Sequence, residues 1–82
     1  MEFALRSRHG AYPVEVTIDE DNYRFTVRNV DRTGAFFNSP DELVSWIVHN
    51  WQKEDFENPG DFEAMLSAIG SYLGRDDLTI SG

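Results

Sequence analysis

Cysteine is missing from all 82 residues, so disulfides, thiolate nucleophiles and thiolate metal sites are excluded. A reducing cytoplasm is compatible with that composition. No apolar run approaches the ~18–20 residues of a membrane span, and no charged start, apolar middle and small-residue cleavage site mark a secretion signal. We therefore expect a cytoplasmic protein that makes no membrane contact. A glycine-rich phosphate loop is missing as well, because the six glycines stand singly at turns and ends. Histidine is scarce: His9 lies in a glycine-flanked turn and His49 in a helical stretch, neither with a second histidine at zinc-ligand spacing. Ser7, Ser39, Ser45, Ser67, Ser71 and Ser81 lack the glycine framing of a nucleophile elbow. The acidic run Asp19-Glu20-Asp21-Asn22 lacks the central glycine and distal glutamate of a calcium loop. These absences leave no catalytic constellation, no metal site and no cofactor site, and the chain reads as a non-enzyme.

Positive charge is the other shortage. Seven basic residues face fifteen acidic ones, for a net charge of −8. The imbalance is uneven along the chain. Residues 1–32 hold Arg6, Arg8, Arg24, Arg28 and Arg32 against six acids, a net of −1, whereas residues 33–82 hold nine acids against Lys53 and Arg75, a net of −7. Such a field repels nucleic acid and anionic membrane and speeds encounter with basic partners.

What is present suffices for one small domain. Hydrophobic residues make up 40% and aromatics 13%, too much apolar matter for a disordered tail. We read residues 1–82 as a single domain with a β-sheet half (1–38), a two-helix half (39–74) and a polar tail (75–82) in which Leu78 and Ile80 would fray or add an edge strand. In the first half Val14, Val16 and Ile18 alternate with polar residues, as do Tyr23, Phe25 and Val27. Pairing Ile18 with Tyr23 across an Asp19–Asn22 turn sets Val16 opposite Phe25 and Val14 opposite Val27, with every apolar member on one face. A weaker strand over 2–8 carries Phe3 and Leu5, and Ala35-Phe36-Phe37 forms a short fourth strand after a turn at Thr33-Gly34. The opposite face would show Arg6, Arg8, Glu15, Thr17, Arg24, Thr26 and Arg28, with Arg6 able to pair with Glu15.

Helical periodicity takes over at Ser39-Pro40-Asp41-Glu42, a start signal with Ser39 as cap and Glu42 closing a capping box. Leu43, Val44, Ile47, Val48 and Trp51 form its stripe. Asn58-Pro59-Gly60-Asp61 repeats the signal, and Phe62, Met65, Leu66, Ile69, Tyr72 and Leu73 follow before Gly74 ends the helix. Strands followed by helices imply an α+β domain: an antiparallel sheet of three or four strands with two amphipathic helices packed on one face. Val16, Phe25, Ile47, Val48, Leu66 and Ile69 are expected in its core.

Two features exceed the needs of the fold. Trp46 lies outside the apolar stripe of its helix, either roofing the core or anchoring a partner. The second is a run of acids in and after the inter-helix connection: Glu54, Asp55, Glu57, Asp61 and Glu63. Helix-start electrostatics account for Asp61 in part but not for Glu54, Asp55 and Glu57. With Lys53 their one basic neighbour in sequence, these carboxylates are expected to point outward. Direct nucleic-acid binding is disfavoured, because single-strand readers need exposed aromatics among basic residues and Tyr23 and Phe25 are read as inward.

A basic protein surface is the partner such carboxylates match, and nucleic-acid grooves are the commonest large basic surfaces. Duplex DNA carries about one charge per 1.7 Å of axis, and carboxylates along a loop and a helix turn can imitate part of that row. In layout, over roughly residues 12–70, the chain resembles some small acidic phage-encoded anti-CRISPR inhibitors that occupy a nuclease's DNA-binding site. The likeness lies in a β-hairpin sheet followed by an acidic connection between helices, Trp51-Gln52-Lys53-Glu54-Asp55-Phe56-Glu57. It implies a DNA-mimic inhibitor, with Glu54, Asp55, Glu57, Asp61 and Glu63 and the Asp19, Glu20 and Asp21 turn as its binding surface. The competing reading is an accessory or regulatory subunit that docks on a larger cytoplasmic protein through the helix face around Trp46.

Overall fold

The computed structural model describes residues 1–74; the tail from residue 75, with the strand expected around Leu78 and Ile80, lies outside the described residues. Four strands, β1 (Glu2–Leu5), β2 (Val14–Asp19), β3 (Arg24–Arg28) and β4 (Gly34–Phe37), precede two helices, α1 (Pro40–Asn50) and α2 (Pro59–Leu73), with one 3₁₀ turn at Lys53–Asp55 between them. The strands form an antiparallel meander in the order β1-β2-β3-β4. The protein is an α+β domain with both helices on one face of the sheet.

Alternation sets that face. Val14, Val16 and Ile18 of β2 and Phe25 and Val27 of β3 are buried against Leu43, Val44 and Ile47 of α1 and Phe62, Met65, Leu66 and Ile69 of α2. The β2–β3 register differs from the sequence expectation by two residues: Val16 lies opposite Val27, Ile18 opposite Phe25 and Asp19 opposite Arg24. A two-residue slip keeps every side chain on its face, so the core survives the difference. The cause is the turn. Asp19 ends the strand and its carboxylate accepts from the Asn22 side chain at 2.8 Å and the Asn22 backbone N–H at 3.4 Å, which pushes the loop to Glu20–Tyr23. Tyr23 leaves the strand at φ 53° and is 82% exposed instead of inward.

The helix starts follow the sequence in their caps, although among the described residues no bond from the Ser39 N–H to the Glu42 carboxylate closes the expected capping box. Ser39 Oγ accepts from the Glu42 N–H at 3.2 Å, and Asn58 Oδ1 accepts from the Gly60 N–H at 3.0 Å. Pro40 and Pro59 open the two helices, and Gly74 closes α2 in the left-handed conformation at φ 72°. Two stripe members depart from expectation. Val48 is 51% exposed and Tyr72 47% exposed, so each buried stripe is narrower than the helical periodicity suggests.

β1 stops at Leu5, and the next residues leave the sheet to meet the inter-helix connection. Ser7 forms an isolated antiparallel bridge with Phe56, the Arg8 N–H donates to the Asp55 carbonyl at 2.8 Å, and the Glu57 N–H donates to the Arg6 carbonyl at 3.1 Å. Arg6 and Arg8 therefore sit beside that connection and not on the open sheet face. Arg6 does not pair with Glu15: it faces Glu57 at 3.7 Å, while Glu15 receives Arg32 at 3.3 Å.

Candidate functional site

The connection Gln52–Asn58 was expected as an outward acidic loop, and its geometry is more economical than that. Asp55 is occupied on two sides. Its carboxylate accepts from His9 Nε2 at 3.0 Å and from the Gln52 N–H at 2.8 Å. Those bonds, the Gln52 one first, favour the ionised form and hold the carboxyl below its ordinary value, against a smaller opposing effect of burial. Glu57 faces Arg6, and the Arg8 guanidinium donates through Nε to the Phe56 carbonyl at 2.9 Å. Three cationic or polar side chains from the sheet half thus lie against the acidic run, neighbours that are remote in sequence.

Phe56, between Asp55 and Glu57, is 1% exposed. It stacks on Phe62 with centroids 5.1 Å apart and meets the Trp51 ring edge-on at 5.8 Å. Trp51 contacts Trp46 at 5.4 Å, and Trp46 contacts Phe37 at 6.1 Å. Trp46 is thus half-buried between Phe37 and Trp51 in an aromatic ladder running from β4 to α2. The sequence reading missed Phe56 as a core residue. The alternation Asp55-Phe56-Glu57 was the available signal, a strand-like pattern hidden inside a charged run.

The remaining acids divide into two groups. Glu54, Asp61 and Glu63 are exposed around the start of α2, and among the described residues no cation pairs with them. Glu20 and Asp21 are exposed in the β2–β3 turn, near the other end of the same helix. Tyr72 marks this proximity. The Glu20 carboxylate accepts its phenolic hydrogen and, with Asp21 and Asp19, raises its pKa above the ordinary value. Eleven residues of helix separate Asp61 from Tyr72, about 17 Å at the helical rise. Between Glu63 and Tyr72 the exposed positions are Ala64, Ser67 and Ser71, which carry no charge. Asp19 is not part of an outward row, since it faces Arg24 across the ladder and holds Asn22.

A cleft of about 280 Å³ gathers Ser7, His9 and Asp55 with Asn29, Asn50 and Trp51. This is not a nucleophile relay. The Ser7 hydroxyl is buried, donates to the Asp55 carbonyl at 3.3 Å and accepts the His9 backbone N–H at 3.0 Å, while the imidazole turns to the carboxylate. The arrangement stitches two loops together.

Fold and site together define a small α+β domain with a group of exposed carboxylates at each end of its second helix and further exposed ones at Glu2, Asp31, Asp41 and Glu42. Comparison of the chain with models of protein families, with curated proteins and with solved structures found no match to any of them.

Proposed function

We propose that this chain is a non-enzymatic acidic interaction module that inhibits a protein partner by occupying its basic, nucleic-acid-binding surface, in the manner of DNA-mimic and anti-CRISPR inhibitors. The observation that carries the reading is the pair of carboxylate groups along α2: Glu54, Asp61 and Glu63 at one end, Glu20 and Asp21 at the other. Over about 17 Å duplex DNA presents about ten phosphates, so five carboxylates imitate the ends of such a segment and leave its middle blank. The partner's arginines and lysines would meet these ends as charge-assisted hydrogen bonds. Asp55 and Glu57 contribute to the field; the hydrogen-bonding capacity of Asp55 is largely spent on His9 and Gln52, whereas Glu57 is only loosely paired with Arg6 at 3.7 Å.

The test replaces Glu54, Asp61 and Glu63 with the corresponding amides. The partner is the basic protein recovered with the wild-type chain by affinity capture from its host. We expect circular dichroism to report an intact fold and binding to weaken on the order of tenfold at low salt, chiefly through slower association. The difference should shrink at about 1 M salt, where the Debye length is about 3 Å. Equal affinity of the two proteins at both salts removes the electrostatic reading. Salt-insensitive binding abolished by Trp46→Ala would favour docking of an accessory subunit on a larger protein, a reading supported by the open groove beside Trp46.

A further inference from the structure

β4 is the edge of the sheet, and among the described residues no strand lies on its far side. Exposed edge strands are normally blunted by charge, proline or a bulge, because unpaired backbone groups recruit other strands. Gly34-Ala35-Phe36-Phe37 carries none of these. The β3–β4 register and the bond from the Asn29 N–H to the Thr33 carbonyl at 2.8 Å fix which backbone groups face outward. Antiparallel ladders alternate hydrogen-bonded and non-bonded pairs, so Ala35 and Phe37 bond to β3 while Gly34 and Phe36 direct their N–H and C=O to the open side.

Apolar side chains flank this edge above and below. On the uncovered sheet face Phe36 is 86% exposed, the most exposed of the large hydrophobic residues, with Thr26 opposite it and Arg24 and Arg28 on the diagonals. On the helix side a shallow groove of about 520 Å³ runs beside α1, lined by Phe37, Glu42, Ser45, Trp46 and His49.

We propose that a second copy of this chain occupies the edge, joining β4 to β4 about a two-fold axis through the two Ala35 residues. The outward backbone groups permit this register, which bonds Phe36 of each copy to Gly34 of the other, and the bare glycine opposite the ring favours it. Phe36 then lies over the one position of the neighbouring strand's open face that has no side chain, covering the bare glycine as aromatic residues do in paired strands. It also comes beside the neighbour's Arg28, whose guanidinium forms no ion pair among the described residues and is free to stack on the ring. The contact is isologous, so it closes as a dimer and does not propagate.

The helix side satisfies the same axis. A two-fold normal to the sheet makes the two α1 helices antiparallel. α1 packs on both β3 and β4. A helix centred between those strands lies about 5 Å from the axis, which separates the two copies by about 10 Å, an ordinary helix–helix distance. The small Ser45 falls near the axis, Trp46 and Phe37 of each groove are covered, and Glu42 at one helix start comes toward His49 near the other helix's end. On the open face of the sheet Arg24 and Arg28 soften the repulsion between two chains of net charge −8.

Sedimentation equilibrium of the full chain from about 1 µM to about 1 mM tests the proposal. The weight-average mass should rise from 9.4 kDa toward twice that value. Screening like charges should tighten the dimer or leave it unchanged as salt rises, the reverse of what a basic partner would show. Phe36→Lys should raise the dissociation constant by about thirtyfold, the loss of a central aromatic anchor. Phe36→Pro removes the ring and, of the backbone donors, only an outward N–H, so it should weaken the dimer at least as much while circular dichroism keeps the monomer's fold. A chain that stays at 9.4 kDa throughout overturns the proposal. So does a dimer indifferent to both Phe36 variants, or one that dissociates as salt rises.

Discussion

Asp55 shows how much structural work a residue can do that composition reads as surface charge. Its carbonyl takes the Arg8 N–H and its carboxylate takes His9 and Gln52, so one residue ties the end of β1 to the 3₁₀ turn. Asp19 and Asp31 behave alike at their turns. Asp19 is held below its ordinary pKa first by the Asn22 side chain, and Asp31 by the Thr33 hydroxyl and then the Thr33 N–H. Each of these carboxyls is more acidic folded than unfolded. Their stabilisation is therefore present above the ordinary value of 3.8 and is lost as pH falls through the lower folded value. We expect Asp55→Ala to destabilise the chain by about 1–2 kcal/mol at neutral pH, in keeping with hydrogen bonds to a charged group. Urea titrations at about pH 7 and about pH 3 should show the deficit shrinking at the acid end, since pH 3 lies below the ordinary 3.8 and the unfolded chain's carboxyl then holds a proton that folding must release. A deficit of the same size at both values would locate the loss in packing and not in the charge. Single residues were legible in the sequence where chemistry and position coincide, as at the caps Ser39 and Asn58. Tyr23 was not, because its strand-like alternation with Phe25 says nothing of the Asp19–Asn22 bonds that move the turn by one residue.

Elements were read more accurately than the pairings between them. Both helices begin where cap and proline place them and α2 ends at Gly74, whereas α1 stops at Asn50, one residue short of the Trp51 that its stripe included; the strands lie where apolar and polar residues alternate. The stripe of α1 was drawn too wide. Helical periodicity locates the centre of a buried stripe, but the sheet beneath decides how far around the helix burial extends. Leu43, Val44 and Ile47 face the sheet, Val48 passes its rim, and on the other flank Trp46 is long enough to lean back onto Phe37 and Trp51. Alanine at positions 47 and 48 should separate these cases: Ile47→Ala costs about 2–5 kcal/mol and Val48→Ala about 0.5 kcal/mol or less. Ser39→Ala should fall between them at about 0.5–2 kcal/mol, the value of a helix cap. Melting temperatures of the three variants check the order, and a Val48→Ala chain destabilised as strongly as Ile47→Ala would mean that α1 is rotated from this arrangement.

Over the whole molecule, the division into a sheet half and a more acidic helical half is a property of the chain order and not of the surface. Folding brings Arg6, Arg8 and His9 from the first half against Asp55, Phe56 and Glu57 of the second. No local pattern could announce this, because nothing in the first nine residues names the loop they will meet 48 residues later. Phe56 is the residue on which that closure turns. It is buried between Trp51 and Phe62, and its backbone is held by Arg8 and bridged to Ser7. A solvated acidic loop would tolerate its loss; a core element would not. We expect Phe56→Ala to cost about 3–5 kcal/mol, as much as Phe25→Ala in the sheet and a large share of the 5–15 kcal/mol typical of a whole domain. The lost ring also uncovers Trp51, so tryptophan emission of whatever fraction stays folded should move toward the wavelength of water-exposed indole, a shift that Phe25→Ala lacks. Denaturant titrations of both variants followed by fluorescence make the comparison. A Phe56→Ala chain of wild-type stability and unshifted emission would return the 52–58 connection to the solvent and detach the two halves of the acidic surface from the fold that spaces them.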